Sequence, residues 1–155
     1  MSLADQLADV RASLLNVATD RDAVLEMAAG LLACRQAGAD DLRASLQARE
    51  RLGSTAIGHG IAIPHGRSPT LEAPRGVLLR LQPAVDFHAT DGQHVDLVFA
   101  MAVPDHYTHQ HLMLLSELAE RFSDTRLCAA LRDAPDAQSM RKLLLDDPHS
   151  PKAAA

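Results

Sequence analysis

The stretch Val95-Asp96-Leu97-Val98-Phe99-Ala100-Met101-Ala102-Val103 most narrows how this chain can fold, because it is apolar at every position except Asp96. A run so continuous, closed by Pro104, predicts a central strand buried on both faces. Something must therefore cover it on each side. At 155 residues the chain is long enough to supply that cover within one domain, expected over residues 1–147. A free tail is expected at 148–155, where Pro148, Pro151 and three alanines have nothing to bury. Cys34 and Cys128 sit far apart in segments that read as helices, without a CxxC, so they are read as reduced core thiols.

The expected cover is helical. Thr19 with Asp22 resembles a capping box, and Val24, Met27, Ala28, Leu31 and Cys34 recur at helical spacing before Gly38, which predicts a helix over 20–37. Asp40 is expected to cap a second helix in which Leu42, Ser45, Leu46 and Arg49 share one face. Arg49 then points the same way as two leucines and calls for an anion: Glu50, Glu72 or a bound phosphate. After the central strand, Asp105 or Thr108 can cap a helix with an inward stripe of Leu112, Leu115, Ala119 and Phe122, placing His111 in its first turn. Further helices are expected over 124–132 and 136–145, each opened by an aspartate. Weaker patterns suggest a helix within 2–10, strands at 13–18 and 76–81, and a polar, turn-rich stretch at 83–94.

A net charge of −5 with no basic block argues against nucleic acid or an anionic membrane as partner. No apolar run approaches the ~20 residues of a spanning helix, and no leader pattern opens the chain, so a cytoplasmic protein without membrane insertion is expected.

The chemistry concentrates at Gly58-His59-Gly60-Ile61-Ala62-Ile63-Pro64-His65-Gly66-Arg67. Ile61 to Ile63 read as a short strand stopped by Pro64, and Gly66 is expected to leave the His65 imidazole open to solvent. A neutral imidazole can accept a transferable group while its second nitrogen keeps a proton. The start of the helix near Thr108 offers backbone N–H groups and a positive dipole end to an anion. If it faces His65, then His111, and Arg49 beside it, would steady a phosphoryl group there. Such transfer depends on positioning and charge compensation, and no Walker loop is present to bind a nucleotide, so the phosphate must arrive already activated. A rival reading takes His106, His109 and His111 as metal ligands, but spacings of three and two do not put all three rings on one helical face. His59 reads as a solvated turn residue near the site, and Leu112 and Met113 as core or shallow docking surface.

The segment 49–67, with its lead-in Arg49-Glu50-Arg51-Leu52-Gly53-Ser54-Thr55 and its core Ile61-Ala62-Ile63-Pro64-His65-Gly66, closely resembles the enzyme IIA family of the bacterial phosphotransferase system. The similarity is to the fructose/mannitol class, especially its nitrogen-regulatory branch, and extends through Asp91-Gly92-Gln93 and the 108–121 segment. It implies an α/β fold, a mixed central sheet of about five strands flanked by helices. It further implies that His65 takes a phosphoryl group from an HPr-like phosphocarrier, that His111 and Arg49 assist, and that no cofactor is needed. Downstream partners would be regulatory targets such as kinases or transporters, or, in a sugar-transport role, an enzyme IIB. His59 stands where relatives often carry Asn.

Overall fold

The computed structural model describes residues 3–7, 9–16 and 20–146. The elements run α1 (Leu3–Gln6), β1 (Asp9–Leu15), α2 (Arg21–Leu32), α3 (Ala39–Leu52), β2 (Ala56–Gly58), β3 (Ile61–Ala62), β4 (His65–Ser68), β5 (Arg75–Val85), β6 (Val95–Pro104), α4 (His109–Phe122), α5 (Thr125–Asp133) and α6 (Ala137–Leu145). The sheet is six-stranded in the order β1-β5-β6-β3-β2, with β4 also paired to β6. It is mixed: β5 lies antiparallel to β6, whereas β1 is parallel to β5, and β3 and β4 are parallel to β6.

The central strand shows why both faces are covered. Side chains alternate across a strand, so Val98, Ala100 and Ala102 of β6 join Val24, Leu25, Ala28, Leu42 and Leu46 of α2 and α3. Leu97, Phe99, Met101 and Val103 join Leu114, Leu118, Leu131, Met140 and Leu144 of α4, α5 and α6 on the opposite face. Two apolar layers thus sandwich one sheet. Gly76 of β5 is required by this packing, because a Cβ there would stand 2.4 Å from the Phe99 ring.

Several elements depart from the expectations. The sheet has six strands instead of about five, because β3 and β4 both follow the same side of β6: Ala62 pairs with Val98 and His65 with Met101. The first strand begins at Asp9, ahead of the expected 13–18, since its register with β5 is parallel from Asp9 and Arg75 onward. The helix expected to run to 37 ends at Leu32, where Arg75 Nε takes the terminal Leu32 carbonyl at 2.9 Å. Cys34 therefore lies outside any helix, bridged to Ala37 and partly exposed. Gly38 does not stop that helix; it is the N-cap of α3, so Asp40 falls in the first turn instead of capping it. Asp124 and Asp136 cap as expected, each accepting from a backbone N–H of its own helix, whereas α2 is capped by Asp20, which accepts from Ala23 N, and not by the residue before it. Thr19 and the tail 148–155 lie outside the described residues. The stretch 83–94 is not wholly turn-like, since β5 continues to Val85 and Phe87 is fully buried.

Candidate functional site

His65 is the first residue of β4, which has β6 on one side and no strand on its other side among the described residues. Pro64 therefore interrupts a strand instead of ending one: it breaks the ladder between β3 and β4, and its carbonyl accepts from Met101 N at 2.9 Å. Gly66 was expected to leave the His65 imidazole open to solvent, and its lack of a side chain serves packing instead. It is buried against α3, where a Cβ would lie 2.8 Å from Ser45 Oγ and 3.2 Å from Leu46 N. The missing side chain lets α3 approach β4, and Ser45 Oγ accepts the Arg67 backbone N–H at 2.8 Å. This close approach brings Arg49, one turn beyond Ser45, over the His65 ring.

The hydrogen bonds assign the ring its tautomer. His65 Nδ1 lies 2.9 Å from the Ile63 carbonyl, which can only accept, so Nδ1 carries the proton. Arg49 Nε donates to His65 Nε2 at 3.2 Å, while Arg49 Nη1 donates to Gly53 O at 2.8 Å. The lone pair of His65 is thus on Nε2 and faces a cation. The anion sought for Arg49 is not Glu50 or Glu72. Glu50 is buried and accepts from Thr55 N at 2.9 Å and Thr55 Oγ1 at 2.5 Å, with Arg21 at 3.8 Å. Its pairing with Thr55 closes the 50–55 turn, which carries the carbonyl of Gly53 that holds Arg49.

His111 reaches the same place from the other face of the sheet. It is in the first turn of α4, only 5% exposed, with its ring centroid 5.2 Å from that of His65 and the planes inclined at 68°. Its Nδ1 is buried and has no hydrogen-bond partner. The stripe expected for this helix is turned by one residue: His111, Leu114, Leu118 and Phe122 face inward, while Leu112 and Met113 are exposed. His111, expected in the first turn but outside the inward stripe, joins that stripe because its imidazole packs against that of His65.

Electrostatics keep both rings neutral at pH 7. Burial lowers the His65 pKa below its usual value, and the Arg49 and Arg67 charges add to that against the opposing Ile63 carbonyl and Glu50. His111 is lowered to about 4, first by burial and then by His65 and Arg67. Thr108 caps α4 without a side-chain hydrogen bond, and the first turn holds no acidic residue, so the positive end of the helix is uncompensated. A neutral nucleophile, a fixed guanidinium and an unpartnered buried imidazole together suit acceptance of a small, anionic, electrophilic group.

The other histidines singled out in the sequence, His59, His106 and His109, lie elsewhere. His59 occupies the β2–β3 hairpin turn at φ 58°, its N–H on Asp91 Oδ2 at 3.0 Å and its carbonyl on Arg132 Nη2 at 2.7 Å. That turn precedes Ile61, which pairs with Leu97, four residues along β6 from the partner of His65. His106 and His109 are exposed, and among the described residues no group of three His, Cys, Asp or Glu could hold a metal ion.

Residues 7–147 match the family described as phosphoenolpyruvate-dependent sugar phosphotransferase system, EIIA 2. The chain belongs to this family. An EIIA is a phosphotransferase component that accepts a phosphoryl group. This EIIA is similar to a nitrogen regulatory protein of Pseudomonas aeruginosa, 39% identical over 137 residues that cover 86% of this chain and 89% of the relative. Among solved structures it is similar to the nitrogen regulatory protein IIA-Ntr of Neisseria meningitidis, with a TM-score of 0.79 and 35% identity over 84% of this chain and 91% of that one. It also shares its fold with the Escherichia coli enzyme IIAMTL solved in complex with phosphorylated enzyme IIBMTL, at a TM-score of 0.68 and 17% identity over 86% and 93% of the two chains. No helix among the described residues is long and apolar enough to cross a membrane.

Proposed function

We propose that this EIIA takes a phosphoryl group on His65 Nε2 from a cytoplasmic HPr-like phosphocarrier and that its phosphorylation state is then read by regulatory protein partners. The observation that carries the reading is the convergence of three side chains: His65 Nε2 is 3.2 Å from Arg49 Nε, and the His65 ring is 5.2 Å from the buried ring of His111. In the transfer, the bond from phosphorus to the carrier breaks and its electron pair stays with the carrier. The Nε2 lone pair forms the new N–P bond. The Nδ1–H stays on the ring and donates to the Ile63 carbonyl, which steadies the positive character the ring gains.

Arg49 has to leave the lone pair as the phosphorus approaches, and it needs to move only far enough to donate to the phosphoryl oxygens instead. His111, neutral and without a partner on Nδ1, offers a further hydrogen bond on the other side. Nothing in this sequence of steps calls for large movement of the fold. A phosphoryl group adds roughly two negative charges to the site, enough to repel one partner and admit another. The similarity to nitrogen regulatory proteins supports targets such as kinases or transporters. The shared fold with an enzyme IIA bound to an enzyme IIB supports a second reading, in which phosphate passes onward to an enzyme IIB in sugar transport.

The test is to incubate the chain with phosphoenolpyruvate, the general relay enzyme and an HPr-like carrier, and to map the acid-labile label. Label on His65, abolished in a folded His65→Ala variant, is expected. Transfer that persists in that variant rejects the assignment.

A further inference from the structure

Arg67 stands two residues beyond His65 on β4, on the same side of the strand by the alternation of side chains. It reaches the turn between β6 and α4, where its Nη1 donates to the carbonyls of Asp105 at 3.0 Å and Tyr107 at 2.5 Å. The turn is otherwise tied by backbone bonds, Asp105 N to Ser68 O at 3.0 Å and Tyr107 N to Pro104 O at 3.0 Å. Among the described residues no other side chain donates to it, and Thr108 makes no capping bond of its own. His111 begins three residues later, and its buried Nδ1 has no partner that would hold the ring. The location of that ring is therefore inherited from the start of α4.

We propose that Arg67 is a positioning residue of the transfer site: by holding the two carbonyls that lead into α4, it sets how His111 stands over His65. This rests on the reading of His65 as phosphoryl acceptor and goes beyond it. One strand then carries both the nucleophile and the clamp that sets its neighbour. A guanidinium suits the task because the two N–H bonds of Nη1 are fixed in one plane, one for each carbonyl, whereas the N–H bonds of an ammonium turn freely on a flexible stem. The cation also lies near enough to both rings to favour their neutral forms.

The experiment is rapid-mixing phosphorylation of the full chain by a phosphorylated HPr-like carrier over a range of carrier concentrations. Misplacing a transfer group by about 1 Å costs up to roughly a hundredfold. Arg67→Gln is accordingly expected to lower the saturating rate by about tenfold to a hundredfold, with the half-saturating carrier concentration nearly unchanged and Arg67→Lys recovering part of the rate. Because Arg67 acts through His111, the Arg67→Gln, His111→Ala double variant is expected to be little slower than His111→Ala alone. If Arg67→Gln does not fold, Arg67→Lys takes its place in the same cycle. Losses that multiply in the double variant, or an unchanged rate with label still on His65, overturn the inference and leave His65 as acceptor standing. A wild-type chain that takes no label on His65 overturns both.

Discussion

Phosphorylation of His65 should pull the pKa of His111 upward, and the geometry indicates by how much. Before modification His111 is held at about 4, chiefly by burial and then by its neighbours His65 and Arg67. The two ring centroids are 5.2 Å apart, so a phosphoryl group on Nε2 places its negative charge at a comparable distance from the second imidazole. At an effective dielectric of about 20, a unit charge at about 5 Å is worth about 3 kcal/mol, or about 2 pKa units. The group carries about 1.5 to 2 negative charges. Arg49 and Arg67 offset part of that field, and halving it leaves a net rise of about 2 units. The sign is fixed because a nearby anion favours the imidazolium. His111 should then titrate at about pH 6 or above and gain a second N–H donor as the phosphoryl group arrives. Long-range ¹H–¹⁵N spectra of the His111 ring, recorded against pH before and after phosphorylation, measure both midpoints. A midpoint that does not move would mean that the phosphoryl group lies outside the reach of His111, and the shared-pocket account would fail.

The same burial makes the fold sensitive to acid. An unfolded histidine has a pKa of about 6.5, so between that value and the native value of about 4 the unfolded chain binds more protons at position 111. Stability is complete above pH ~6.5 and falls as pH drops toward ~4, by at most about 3 kcal/mol and less as solvent screens the site; His65, also lowered, acts in the same direction. Denaturant melts across that range should flatten in His111→Gln, and an unchanged slope would contradict the assignment to buried neutral imidazole. Gly66→Ala should force α3 away from β4, since the new Cβ would meet Ser45 Cβ at 3.1 Å and the immovable Leu46 N at 3.2 Å. A loss of about 1–3 kcal/mol in melting and a slower transfer through the displaced Arg49 are expected, and wild-type values of both would refute the packing argument.

Much of this site was legible because its residues obey local rules. The alternation within β6 sends Val98, Ala100 and Ala102 one way and Leu97, Phe99 and Met101 the other, so a continuous apolar run reported a covered sheet directly. The face shared by Leu42, Ser45, Leu46 and Arg49 also holds, and it is what brings Arg49 to His65. What was illegible depends on contacts distant in sequence. Gly66 was read as opening His65 to solvent and proves to be the space α3 occupies. Glu50 looked like a partner for Arg49 but turns inward to Thr55. The α4 stripe was read one residue off because Leu112 is more hydrophobic than His111, whereas the ring of His111 finds its place against another imidazole. Arg67 gave no sequence signal beyond its neighbourhood to His65, since the carbonyls it holds lie 38 and 40 residues away.

The most direct test of the account is the site of phosphorus attachment in the phosphorylated chain, read from ³¹P–¹⁵N couplings in protein labelled at histidine. Because the Ile63 carbonyl fixes the proton on Nδ1 and Arg49 faces the other nitrogen, coupling to His65 Nε2 is the expected result. Coupling to His65 Nδ1, or to His111, would contradict it.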